Sequence, residues 1–255
     1  MHWIIQKGIF KALNYERLTD ALDRLGLEYT SVEIPAGTWA PEPDVNPSGP
    51  VYVCGAVKLA KIAAQRGWSP GSFLNESFRF DIWQRHLGAE LLSRNVVLGT
   101  LAEIEPRALA GPDGKFFIRP VEDNKAFDGQ VIDLETLTAW RRDPAKRAWL
   151  DLDVVASPVQ AIYREYRLFV VRNRVVTGSV YKVGGRPQLR ELQDSEVESY
   201  AESILKTWTP AESVVLDVAL TEKGFKVIEF NNINSSGFYA ADVMKYAIAV
   251  ADAYG

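Results

Sequence analysis

Apolar and polar positions along this chain follow two different rhythms, and the change between them divides it. Trp3 to Gln6 is a short apolar strand. From Asn14 to Leu25 the apolar residues Leu18, Ala21, Leu22 and Leu25 return at helical spacing, with Asn14 as cap and Gly26 as stop. Glu28 to Ile34 alternates as a strand does. Residues 35–50 carry five prolines and must be a loop. Pro50 to Cys54 is apolar again, then Gly55, then a helical run from Val57 to Gln65 ending at Gly67. Strand, glycine, helix here predicts a tight turn rather than a phosphate site. A further helix is expected from Asn75 to Leu87, stopped by Gly88. Short strands alternating with helices over residues 1–100 predict a small α/β domain with a parallel sheet.

Between Ala102 and Gly114 the pattern breaks, which divides the chain into domains at 1–105 and 106–255. Lys115 to Arg119 is a strand ended by Pro120, followed by a polar loop, a strand from Val131 and a helix from Asp133 to Trp140. Val154 to Tyr163 leads into the strand EYRLFVV, which turns at Arg172, Asn173 and Arg174 and returns as VVTGSVYK. Ser195 to Trp208 is an amphipathic helix, and Ala240 to Ala253 the last one. Antiparallel hairpins with helices on one side make the second half α+β.

One hairpin draws the chemistry together. VVLDVAL and FKVIEFN are rich in β-branched and aromatic residues, and TEKG between them is turn chemistry. A three-residue loop, Glu222 to Gly224, would set Thr221 opposite Phe225 and therefore Asp217 opposite Glu229. Period two adds Asn231 to that face and sends Ile228 and Phe230 to the other. Two bare carboxylates so placed repel, so an amide in place of either should leave the ligand-free fold intact or slightly firmer. A hard cation between them would offset the repulsion, and three oxygen donors suit magnesium. The spacing alone equally allows a solvated hairpin face.

Composition narrows the choice. The chain has 255 residues, 47% hydrophobic and 24% charged, an ordinary globular balance. A net charge of -4 gives no support to a nucleic-acid partner. One cysteine excludes an internal disulfide and a thiolate zinc site, and two histidines make imidazole chemistry a poor fit. No run approaches the length of a membrane span, so no membrane is expected and a cytoplasmic location is the default. In the second half Arg119 ends a strand and Lys125 sits in the polar loop near Gly129. Glu165 and Arg167 share one strand face, where Glu165 is expected to hold Arg167 when no ligand is bound, and Lys182 ends the return strand. Singly each reads as a surface charge; jointly four cations beside a possible metal site suit a triphosphate.

The order of these segments resembles the ATP-grasp superfamily. FIRP is similar to that family's apolar-Lys-Pro strand, with Arg119 where lysine is common. Residues 125–129 resemble its phosphate-covering loop, REYRLFVV its post-hinge strand, and Asp217 with Glu229-Phe230-Asn231 its magnesium signature. The nearest likeness is the clade named for two arginines and a lysine, here Arg119, Arg167 and Lys182; it also shows an N-terminal segment like residues 51–75. The resemblance implies a pre-ATP-grasp-like α/β domain followed by an ATP-grasp domain, and an enzyme using ATP and magnesium. It implies a ligase that turns a carboxylate into an acylphosphate for attack by an amine or other nucleophile, the carboxylate being a small molecule or a peptide. Asp217, Glu229 and Asn231 would hold the metal. Arg119, Arg167 and Lys182 would be catalytic and, with Lys125, hold phosphates. Backbone from Gln160 through Ile162 to Tyr163 would meet adenine, and Glu165 the ribose. Asn234, Ser235 and Ser236 would bind an anion or merely cap the last helix. A catalytically inactive nucleotide-binding module, or a phosphotransferase with the same site, are the alternatives.

Overall fold

A computed structural model describes residues 1–122 and 126–255. The first part is built from β1 (His2–Gln6), α1 (Ala12–Leu25), β2 (Tyr29–Val32), β3 (Val51–Cys54), α2 (Val57–Gln65) and the two-residue β4 (Pro70–Gly71). Its strands form one parallel sheet in the order β2-β1-β3-β4. Then come α3 (Phe80–Leu87), β5 (Val97–Thr100), β6 (Lys115–Pro120), β7 (Gln130–Asp133), α4 (Leu134–Arg142) and β8 (Asp153–Ser157). They are followed by β9 (Arg164–Val171), β10 (Arg174–Val183), β11 (Arg186–Glu191), α5 (Ser195–Thr207), β12 (Val214–Thr221), β13 (Gly224–Asn231) and α6 (Val243–Tyr254). These strands make two antiparallel sheets, β5-β8-β6-β7 and β11-β10-β9-β12-β13. Strand pairing thus changes sheet ahead of Val97, upstream of residue 105.

The five-stranded sheet is buried on both faces for much of its length, which is why β9 and β12 are nearly continuous apolar runs. Tyr166, Leu168 and Val170 of β9, with Leu216 and Val218 of β12, pack under α3 and α5. Phe169, Val171 and Val215 point the other way, into a core shared with α1, α6 and the residues Trp3, Ile5 and Tyr52 of the parallel sheet. That second face is apolar only where α6 and the first part cover it. Two residues back along β9 it carries Arg167 and Glu165, where the sheet opens.

Local chemistry explains where elements begin. α1 starts at Ala12, with no side-chain cap from Lys11, and ends at Gly26 in the left-handed conformation. α3 starts at Phe80 rather than Asn75, because the Asn75 carboxamide turns back to accept from the Ser77 amide at 2.7 Å. α6 starts at Val243 behind an Asp242 cap, so Ser235 and Ser236 do not cap it. β4, β5 and β11 are additional to the strands that periodicity predicts; each is short or exposed and carries too little pattern to read. Gly55 makes the tight turn expected of it: a Cβ there would lie 2.7 Å from Leu59 Cδ2 and 2.8 Å from Gln6.

Asn234 ties the parts together. Its Nδ2 donates to the Val53 carbonyl at 2.7 Å and its Oδ1 accepts from the Phe73 amide at 2.9 Å and Ser72 Oγ at 3.2 Å. The residue is 1% exposed. Asn234→Ala leaves those buried groups without partners and should lower unfolding stability by about 3 kcal/mol in a urea titration.

Candidate active site

The two antiparallel sheets face each other across a cleft of about 720 Å³, within the range of small-molecule sites. Its floor is set by strand register. Asp217 of β12 stands opposite Arg167 of β9 on one side and Glu229 of β13 on the other. Asp217 is 1% exposed and grips Arg167 by two bonds, Nε to Oδ1 at 2.9 Å and Nη2 to Oδ2 at 2.7 Å. Burial pushes the Asp217 carboxyl up to about 6 although Arg167 pulls it down, so it stays ionised at neutral pH. Burial also pulls on the Arg167 guanidinium, but Asp217 more than offsets that and holds it protonated. Arg119 reaches over from β6 of the smaller sheet, its Nη1 2.8 Å from Glu229 Oε2 and its guanidinium 5.3 Å from the Trp83 ring centroid. Asn231 Nδ2 donates to Glu229 Oε1 at 3.0 Å. Lys182 Nζ lies 3.5 Å from Glu165 Oε1.

Among the described residues, Glu165, Asp217, Glu229, Arg119, Arg167 and Lys182 therefore converge, and they converge as pairs. Neither carboxylate is bare, which reverses the expected effect of an amide at Asp217. Arg167 is held by Asp217; Glu165 meets Lys182 and the Tyr181 hydroxyl instead. Gln160 and Ile162 line the cleft, as do Ser235 and Ser236, whose hydroxyls donate to the Asn232 carbonyl at 3.4 and 2.8 Å. Asn234 is not brought in, since its carboxamide is spent on the parallel sheet. Tyr163 is half exposed, and its amide and carbonyl bond to Leu220 and Gly184 rather than facing the cleft. Lys125 lies outside the described residues.

Two β-bulges bring in residues that period two assigns elsewhere. The β12–β13 turn pairs Thr221 with Gly224, one residue tighter than expected. An extra residue, Ile228, then restores Asp217 to Glu229 and itself lines the cleft, while Phe230 stays in the core. Tyr181 is the extra residue of β10 between Val180 and Lys182, so neighbours in sequence share the cleft. Tyr239, on the loop after β13, stacks on Tyr181 with ring centroids 5.0 Å apart. The aromatic spacing gives no signal for either tyrosine.

The chain belongs to the ATP-grasp domain family, to the second family of the clade named for two arginines and a lysine, whose model matches residues 91–249. Solved structures share the fold. D-cycloserine synthetase DcsG is 13% identical over 98% of both chains with a TM-score of 0.63. D-alanyl-alanine synthetase A from Vibrio cholerae O1 biovar eltor str. N16961 is 11% identical over 99% of this chain and 98% of that one, TM-score 0.63. The ATP-grasp ligase PsnB, solved with a phosphomimetic variant of its minimal precursor, Mg and ADP, is 13% identical over 98% and 97%, TM-score 0.59. No curated protein matches the sequence. No helix among the described residues is long and apolar enough to cross a membrane.

Asp217→Asn removes the charge of one partner of a buried ion pair and leaves Arg167 without its counter-ion. Without ligands it should cost about 3 kcal/mol in chemical unfolding, while Glu229→Gln, at a side chain 25% exposed, costs less.

Proposed function

We propose that the protein is a magnesium-dependent ATP-grasp ligase that activates a carboxylate by phosphorylation and joins it to a nucleophile, an amine in the simplest case. The observation that carries this is the register Arg167–Asp217–Glu229 on one sheet, met by Arg119 from the other. Two carboxylates and a carboxamide oxygen are the donor set a magnesium ion takes when phosphates complete its shell. Asp217, Glu229 and Asn231 would hold it, with Asn231 already oriented by its amide bond to Glu229. Bound there, the ion would neutralise phosphate charge.

The chain's own groups do the rest. Among the lining residues, the apolar Phe117, Val159 and Ile162, with Gln160, suit an adenine ring, and Glu165 a ribose. Arg119 and Lys182 would turn from their acids toward phosphate oxygens, while Arg167, still held by Asp217, would offer them its remaining N–H groups. A carboxylate oxygen attacks the terminal phosphorus and the bond to ADP breaks; the amine nitrogen then attacks the acyl carbon of the acylphosphate, the carbon–oxygen bond to phosphate breaks, phosphate leaves, and the nitrogen gives up a proton. In such transfers positioning and charge stabilisation supply most of the acceleration.

Magnesium with ATP should raise the melting temperature, since a ligand of the folded state alone stabilises it by mass action. With pooled amino acids and peptides as acceptors, the protein should release ADP and phosphate in equal amounts, and mass spectrometry should find a condensed product. ADP without phosphate would mean a phosphotransferase. No thermal shift at millimolar nucleotide would contradict nucleotide binding. Arg167→Lys keeps the charge but loses the planar fork, and turnover should fall by about tenfold or more.

A further inference from the structure

We infer that Tyr239 is a positioning residue for Arg167 and that Arg17 of α1 in turn sets Tyr239; this rests on the nucleotide-binding reading above. The Arg167 guanidinium centre lies 4.8 Å from the Tyr239 ring centroid and 5.9 Å from that of Tyr181. The two rings stack 5.0 Å apart at 13°. The guanidinium thus lies within cation–π distance of both rings of the stack. Asp217 takes two of its five N–H groups and the Gly237 carbonyl a third, at 3.4 Å, leaving two donors for a ligand. A fork bound to one carboxylate still tilts about the line joining its two bonds. Rings against its side remove that tilt and aim the remaining donors.

Tyr239 is held there against its own backbone preference. Its φ is 49°, a left-handed conformation that strains a residue with a Cβ and that glycine adopts freely. The ring is 37% exposed, so core burial does not account for it. Its surroundings over-determine the conformation: Arg17 donates through Nη1 to the Tyr239 carbonyl and through Nη2 to the Ala241 carbonyl, each at 2.5 Å. The Ala240 and Asp242 amides donate to Ser179 Oγ and Thr177 Oγ1 at 3.2 and 2.9 Å. A helix of the first part thus fixes a loop whose Tyr239 ring bears on the cleft's central arginine.

The test is a calorimetric cycle with magnesium-ATP as the probe. Tyr239→Gly removes the ring where glycine fits the backbone, and should weaken binding about tenfold. Tyr239→Phe keeps the ring and should stay within about twofold of wild type. Arg167→Lys retains a charge beside Asp217, so the fold keeps its ion pair, but it lacks the plane that rests on the rings. In that background Tyr239→Gly should change affinity by less than about twofold, because coupled residues are not additive. Arg17→Met should act in the same direction as Tyr239→Gly and add nothing to it. An equal loss from Tyr239→Gly in both backgrounds would overturn the inference, since the ring would then act without Arg167. A loss in Tyr239→Phe would overturn it too, by giving the role to the hydroxyl. Absent binding by the wild type contradicts the nucleotide reading itself and takes the inference with it. Wild-type binding with an additive cycle overturns the inference alone.

Discussion

The buried pair of Asp217 and Arg167 is the constraint on which the site depends. Two charges taken out of water are costly, and each is tolerable only while the other is in place. Register supplies that condition, because β9, β12 and β13 set Arg167, Asp217 and Glu229 side by side on one face. The second acid has its arginine too, but from the other sheet: Arg119 crosses from β6 to Glu229. The ion pairs therefore organise each wall of the cleft and link one wall to the other.

The sheet that carries them uses one face for two purposes. Where α1 and α6 cover it, the outward positions of β9 and β12 are Phe169, Val171 and Val215. One or two steps along the same strands, where no helix covers it, they are Arg167, Glu165 and Asp217. The first part of the chain contributes by covering and by tethering. Asn234 binds the loop after β13 to the parallel sheet, and Arg17 binds its next turn to α1. Both fix the backbone of the loop from Ser235 to Tyr239 that lines the cleft.

Much of this is legible in the sequence because strands obey a strict period. Asp217, Glu229 and Asn231 fall on one face from EFN and LDV alone, and Glu165 with Arg167 from EYR. The turn expected from TEKG is one residue too long, yet the Asp217–Glu229 pairing holds, since the bulge at Ile228 restores the register that the tighter turn removes. Bulges are what the period cannot show, and for that reason the sequence does not place Tyr181 and Ile228 in the cleft. Pairing partners are illegible for a similar reason. Charges that look bare along one strand, such as Asp217, are matched by residues many positions away, and only the strand order brings them together. The tether role of Asn234 is illegible because nothing in NNINSS distinguishes an amide that faces a ligand from one that fastens a loop to the parallel sheet.

The central claim is that Asp217, Glu229 and Asn231 hold magnesium for a nucleotide whose phosphates draw Arg119 away from Glu229 and meet the N–H groups of Arg167 that Asp217 leaves free. A crystal structure with magnesium and a non-hydrolysable ATP analogue tests it directly. The account expects a metal about 2.1 Å from oxygens of those three residues, with phosphates in reach of both arginines. A nucleotide bound with its phosphates elsewhere, or a metal bound without Asp217 and Glu229 while Arg119 stays closed on Glu229, would contradict it.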